Sequence, residues 1–138
     1  MIVYRIENIH HIGMYGGDSI MFDNIDVKRH PGPANDSRLV RDFERKTEMG
    51  FYVPTQYYFG FKNIAQLRSW LYDDDWLCSL HDSGYSLVEI YISDCKPANV
   101  IIGNTQVMFD KSMEIKRDTF SLVSYFNLED GNQEQDND

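Results

Sequence analysis

Ile2-Val3-Tyr4-Arg5-Ile6 near the start of the chain and Gly103-Asn104-Thr105-Gln106-Val107-Met108-Phe109-Asp110 near its end decide the fold. Each contains a short apolar strand-like run with a long polar, hydrogen-bonding side chain in it or at its head, Arg5 in the first and Gln106 before Val107-Met108-Phe109 in the second. Side chains alternate between the two faces of a strand, so a polar residue inside such a run is conspicuous. If the two strands are neighbours, the Arg5 guanidinium and the Gln106 amide converge on one cleft. The plainer readings are that Arg5 pairs with a carboxylate such as Glu89 or Asp110, and that Gln106 is an ordinary exposed residue on an alternating strand.

Working outward from these runs, the first strand covers Ile2–Glu7. The Gly-rich stretch 8–23, with Gly13, Gly16 and Gly17, reads as a loop, and His30-Pro31-Gly32-Pro33 as a second loop or turn. Asn35 or Asp36 caps a helix running to about residue 49. Leu39, Val40 and Phe43 form its apolar face, and Gly50 ends it. The aromatic stretch 51–61 contains a short strand at about 57–61. Asn63 caps a second helix over 64–72, in which Ile64, Leu67, Trp70 and Leu71 recur at helical spacing. Asp73-Asp74-Asp75 caps a third short helix with Trp76, Leu77 and Leu80, stopped by Gly84.

Strands dominate after that. Ser86–Ile92 places Val88, Ile90 and Ile92 on one face and Leu87, Glu89 and Tyr91 on the other. Residues 100–102 and 105–109 read as a hairpin with Gly103-Asn104 as a two-residue type II′ turn. Residues 113–117 and 119–125 read as one or two last strands. The class is therefore α+β: a single domain with a largely antiparallel split sheet and two or three short helices.

Composition bounds the function. A chain of 138 residues with 42% apolar and 14% aromatic residues builds one packed domain without needing disulfides or metal. Five of the nine net negative charges lie in residues 127–138, where Glu129, Asp130, Glu134, Asp136 and Asp138 meet no basic residue. The reading is a domain over 1–126 and an acidic, flexible tail over 127–138. An acidic chain disfavours sequence-independent nucleic-acid binding, which needs clustered Lys and Arg. The basic residues Lys28, Arg29, Arg38, Arg41, Arg45 and Lys46 are interleaved with Asp36, Asp42, Glu44 and Glu48, as on a solvated helix face. No apolar run approaches membrane-spanning length, and no secretory signal opens the chain. Cys78 and Cys95, without such a signal, read as free thiols.

The run Val3-Tyr4-Arg5-Ile6 resembles the first catalytic strand of the arginine-type ADP-ribosyltransferases. Gln106-Val107-Met108-Phe109 followed by Met113-Glu114-Ile115 is similar to the last motif of that fold, where a catalytic Glu precedes a short apolar strand. Tyr57-Tyr58-Phe59-Gly60-Phe61 falls where that family places a middle strand ending in Ser or Thr. The chain also resembles small proteins of tailed bacteriophages, through His30-Pro31-Gly32-Pro33 and Phe59-Gly60-Phe61-Lys62-Asn63.

The resemblance implies an ADP-ribosyltransferase-like fold with a NAD or ADP-ribose pocket. Arg5 and Gln106 would stand at the catalytic positions, and Tyr4, Arg5, Tyr15, Phe61 and Asn63 at the cofactor. Gln106 replaces the family's Glu, and Phe61, Lys62 or Asn63 stands where the hydroxyl is expected, which implies a catalytically degenerate site. An amide keeps a hydrogen bond but loses the charge that would stabilise a ribosyl cation, a loss of about 100- to 1,000-fold for one such contact. The expected setting is the cytoplasm of an infected bacterium, with a host protein as target. The other reading is a non-enzymatic acidic inhibitor that binds a host protein.

Weaker motifs add little. His10, His11, His30, His81 and the pair Cys78 and His81 fall short of a zinc set, which needs three or four spaced ligands, so no metal is expected. Gly13-Met14-Tyr15-Gly16-Gly17 lacks the Lys and Ser/Thr of a phosphate loop. Tyr57 and Tyr58 read as core, or as groove or interface residues where Tyr is enriched.

Overall fold

Two short sheets meet at a single seam, and the first strand forms one side of it. The computed structural model describes residues 1–13, 36–47, 57–93 and 100–128. Strand β1 (Ile2–Glu7) pairs antiparallel with β3 (Ser86–Ile92), Tyr4 opposite Glu89 and Arg5 opposite Val88. On its other side β3 pairs with β6 (Glu114–Phe120), with a register shift between Tyr91 and Ile92. The second sheet holds β2 (Tyr57–Gly60), β5 (Val107–Asp110) and β4 (Val100–Ile102), with β5 in the middle and all pairs antiparallel.

Tyr4 and Phe61 exchange both backbone hydrogen bonds at 2.8 Å and join β1 to the end of β2. Across the seam the strands therefore run β6-β3-β1-β2-β5-β4. Gly60 makes the close approach possible: a Cβ there would lie 2.6 Å from Val3 Cγ1 and 2.7 Å from the Tyr4 carbonyl oxygen.

Strand alternation sorts the apolar residues into three layers of core. Val3, Val88, Ile90 and Ile92 of the first sheet pack against Val107, Phe109 and Met113. On the far face of the second sheet, Ile101 and Met108 receive Leu39 and Phe43 of α1 (Ser37–Thr47). On the far face of the first sheet, Ile6 and Leu87 pack with Phe61 and three helices. These are α2 (Ile64–Trp70), α3 (Asp74–Asp82) and α4 (Leu122–Tyr125). Leu67, Trp70, Leu77, Leu80, Leu122 and Val123 supply the helical side of that cluster.

The helices begin where short polar side chains satisfy their first amides. Asn63 accepts from Gln66 N at 2.7 Å, Asp73 from Asp75 N at 2.9 Å, and Ser121 from Ser124 N at 3.3 Å. Asp36, not Asn35, caps α1 by accepting from Leu39 N at 3.1 Å. Gly84 follows α3 with φ 90, a conformation that suits glycine.

The α+β class, the single domain and the split antiparallel sheet agree with the sequence reading. Four details differ from it. There are four short α-helices among the described residues, not two or three. The hairpin between β4 and β5 closes over four residues, 103–106, with Gly103 N donating to Gln106 O at 2.9 Å. A two-residue turn is displaced because the Asn104 and Thr105 amides bond to Asp36 instead of the ladder. The end of the chain is one strand and then α4, because Ser121 caps a turn where a last strand was expected. Packing also continues past residue 126: Leu128 is buried, and its amide donates to Val123 O at 2.9 Å. Tyr15, the 30–33 turn, Gly50, Cys95 and residues 129–138 lie outside the described residues.

Candidate functional site

Arg5 lies on the face of β1 that turns toward the second sheet, and it is 6% exposed. Its Nε donates to Glu7 Oε2 at 2.9 Å, and its Nη1 donates to the Phe59 carbonyl at 2.6 Å. Its guanidinium carbon sits 4.0 Å from the centre of the Tyr58 ring, a cation–π contact. The ion-pair partner is thus Glu7, two residues along the same strand face, rather than Glu89 or Asp110. Glu89 lies on the opposite face, where it accepts from the hydroxyls of Tyr91 at 3.4 Å and Tyr125 at 3.3 Å.

Glu7 is only 2% exposed and is shared. Its other carboxylate oxygen accepts from Arg117 of β6, and Arg117 also forms a two-pronged pair with Glu114 at 2.6 and 3.1 Å. Two guanidiniums and two carboxylates balance one another in this chain. Burial lowers the pKa of Arg5, opposed by the bond to Glu7. Arg117 is pushed the other way, chiefly by its bond to Glu114. Glu114 is held below the usual carboxylate range, first by the hydrogen bond from Arg117.

Gln106 ends the β4–β5 loop and is 1% exposed, so it is a buried residue and not an ordinary exposed one. Its Nε2 lies 3.5 Å from Thr105 Oγ1. The loop is pinned from outside by the buried carboxylate of Asp36. That group accepts from Asn104 N at 3.0 Å, from Thr105 N at 2.8 Å, from Thr105 Oγ1 at 3.0 Å and from Leu39 N. Burial alone would raise the Asp36 pKa, but these donors outweigh it and the net shift is downward. Gly103 is required beside it, since a Cβ there would lie 2.4 Å from Asp36 Oδ2.

Arg5 and Gln106 come together. Both line one cavity at the seam, closed by Gly13, Ile6 and residues 59–61, with a volume of about 20 Å3. That is room for roughly one water molecule, which needs about 10–15 Å3 on this measure. Phe61 lines the same cavity. Tyr4 does not: it points to the far face of β1, toward Glu89, where burial and then the Glu89 charge raise its pKa. Asn63 is committed to the cap of α2.

The sequence reading did not single out Glu7, Arg117 or Asp36 as parts of the site. Period-two alternation from Arg5 points to Glu7, but nothing local signals that Arg117 arrives from two strands away. The arrangement sets a guanidinium, already paired with Glu7, beside a neutral amide.

Among the described residues, no group of three His, Cys, Asp or Glu side chains is placed to hold a metal ion. No helix among them is long and apolar enough to cross a membrane. Residues 1–123 match the model of a family described as Bacteriophage T4 Y00F protein. No curated protein and no solved structure matches the chain.

Proposed function

The chain belongs to the Bacteriophage T4 Y00F protein family, and we propose that it is a phage-encoded, ADP-ribosyltransferase-like protein whose Arg5–Gln106 cleft takes NAD or an ADP-ribose-type ligand without efficient chemistry. One observation carries the reading: Arg5 and Gln106, brought from opposite ends of the chain, face one cavity at the split between the sheets. Arg5 would hold phosphate or ribose oxygens with paired donors. Gln106 would hydrogen-bond the ribose but adds no charge where a ribosyl cation forms. The ligand would reach them by displacing the Asn8–Gly13 turn, which Glu7 and Gly13 fasten by an isolated bridge. The target would be a host protein met in the cytoplasm of the infected cell.

A carboxylate in place of the amide tests this directly. Gln106→Glu is expected to give slow NAD glycohydrolysis, absent from wild type and from Arg5→Ala/Gln106→Glu. Equal background turnover in all three folded proteins would remove the basis for the pocket.

A second reading is favoured by a different observation. The cavity is small, about 20 Å3, and its cation is already paired with Glu7. The full chain carries a formal net charge of -9. It would then act without chemistry, as an acidic inhibitor of a host protein.

A further inference from the structure

A second and larger cavity is lined in part by the same loop. It is lined by Gln66, Ser69 and Trp70 of α2 and by Asn104 and Thr105, and its volume is about 100 Å3, against about 20 Å3 at Arg5. We propose that this cavity is a binding site for a neutral, planar ring of nucleobase size with an amide-type donor–acceptor edge.

The lining determines the class. None of these five side chains is ionisable under ordinary conditions, and an ionised ligand group buried without a counter-charge is strongly disfavoured. Trp70 supplies a large apolar wall. Around it stand two primary amides and two hydroxyls, the few polar groups that orient a ligand in a mostly apolar pocket.

Their hydrogen-bonding capacity is only partly used. Gln66 is nine-tenths buried; its Oε1 accepts from Lys62 N at 2.9 Å, while its Nε2 makes one long bond to Asn104 O at 3.4 Å. Ser69 Oγ donates to Ala65 O at 3.0 Å and retains its lone pairs. Asn104 uses its backbone amide on Asp36, and its exposed side-chain amide makes no hydrogen bond among the described residues. A primary amide pairs in two prongs with an adjacent carbonyl and N–H, the edge a pyrimidine base presents.

The geometry is stable enough to be a site. The Gly103–Gln106 loop is locked by three bonds to Asp36, and α2 is capped by Asn63. The proposal does not depend on the Arg5 reading, and the test separates the two.

The experiment is a titration of the full chain with uracil, followed through the amide and indole N–H signals in two-dimensional NMR. Orotate, uracil with an added carboxylate, is the charge control. A saturable shift of the Trp70 indole and of the Ser69 and Asn104 amides is expected. Orotate should bind about tenfold more weakly or worse. Ser69→Phe, which fills the mouth from an exposed helix position, and Asn104→Ala should each weaken uracil about tenfold. The dispersion of the same spectra reports that each variant is folded. Absence of a saturable shift would overturn the proposal, as would equal binding of orotate or wild-type affinity in both pocket variants.

Discussion

Arg5, on a strand of the first sheet, and Gln106, in a loop of the second, line one cavity, and Arg5 is already paired with the buried carboxylate of Glu7. This places stability and binding in opposition at Glu7. Glu7→Gln leaves two guanidiniums, Arg5 and Arg117, short of a counter-charge inside the protein. Breaking a buried pair from one side costs about 3–5 kcal/mol. The expected outcome is a lower unfolding midpoint in urea together with tighter ADP-ribose binding, because Arg5 is released to an external anion. Loss of stability without a gain in affinity would mean that Arg5 is purely structural.

The seam should be intolerant of the smallest side chain. In Gly60→Ala the new methyl meets the Tyr4 carbonyl, which is locked to Phe61 by hydrogen bonding, and Val3 in the core. Overpacking of this kind costs about 1–3 kcal/mol. Chemical denaturation should register that loss. An unchanged midpoint would show that the two sheets do not approach as closely as described.

Asp36 should write itself into the acid limb of the stability curve. Its folded pKa is depressed, so the carboxylate stabilises the fold fully above its unfolded value of about 3.9. That contribution is lost as pH falls through the folded value. Glu114 is depressed too and titrates in the same direction, so the informative comparison is wild type against Asp36→Asn. The variant is expected to be less stable by about 1–3 kcal/mol at neutral pH, because donors aimed at the carboxylate lose an acceptor. The gap should close on acidification below about pH 4. A gap that stays constant with pH would show that the Asp36 charge plays no part.

Leu128 is the last of the described residues, and it is buried. A chain ending at Leu128 lacks only the acidic stretch 129–138, which carries no apolar side chain, and should match the full chain within about 0.5 kcal/mol. A chain ending at Phe126 also loses the buried Leu128 and should lose about 2 kcal/mol or more. Thermal unfolding of the two truncations distinguishes them.

Much of the fold was legible because local rules and packing agree. The alternation in Ser86–Ile92 sends Val88, Ile90 and Ile92 into the core between the sheets and Leu87 to the helical side. The caps Asn63 and Asp73 stand where short polar residues precede helical periodicity. What was not legible depends on distant partners. Gly103-Asn104 has the composition of a tight turn, but Asp36, far away in sequence, draws the Asn104 and Thr105 amides outward and opens it to four residues. Residues 121–125 are apolar and aromatic enough for a strand, yet Ser121 and the cover they give to Ile6 and Leu87 favour a helical turn. At the site, the polar residues at positions 5 and 106 were visible as exceptions in apolar runs. The pairing with Glu7 and Arg117 is a property of the assembled sheet, and no local pattern contains it.

The most direct test of the central claim is calorimetric titration of the full-length protein with ADP-ribose. Binding with a Kd below about 1 mM is expected, since weaker binding corresponds to less than about 4 kcal/mol. Arg5→Lys should weaken it about tenfold, because an ammonium cannot reproduce the paired donors of a guanidinium. No measurable heat of binding at millimolar ADP-ribose, or identical binding by Arg5→Lys, would contradict the cleft and leave the acidic, non-enzymatic reading in its place.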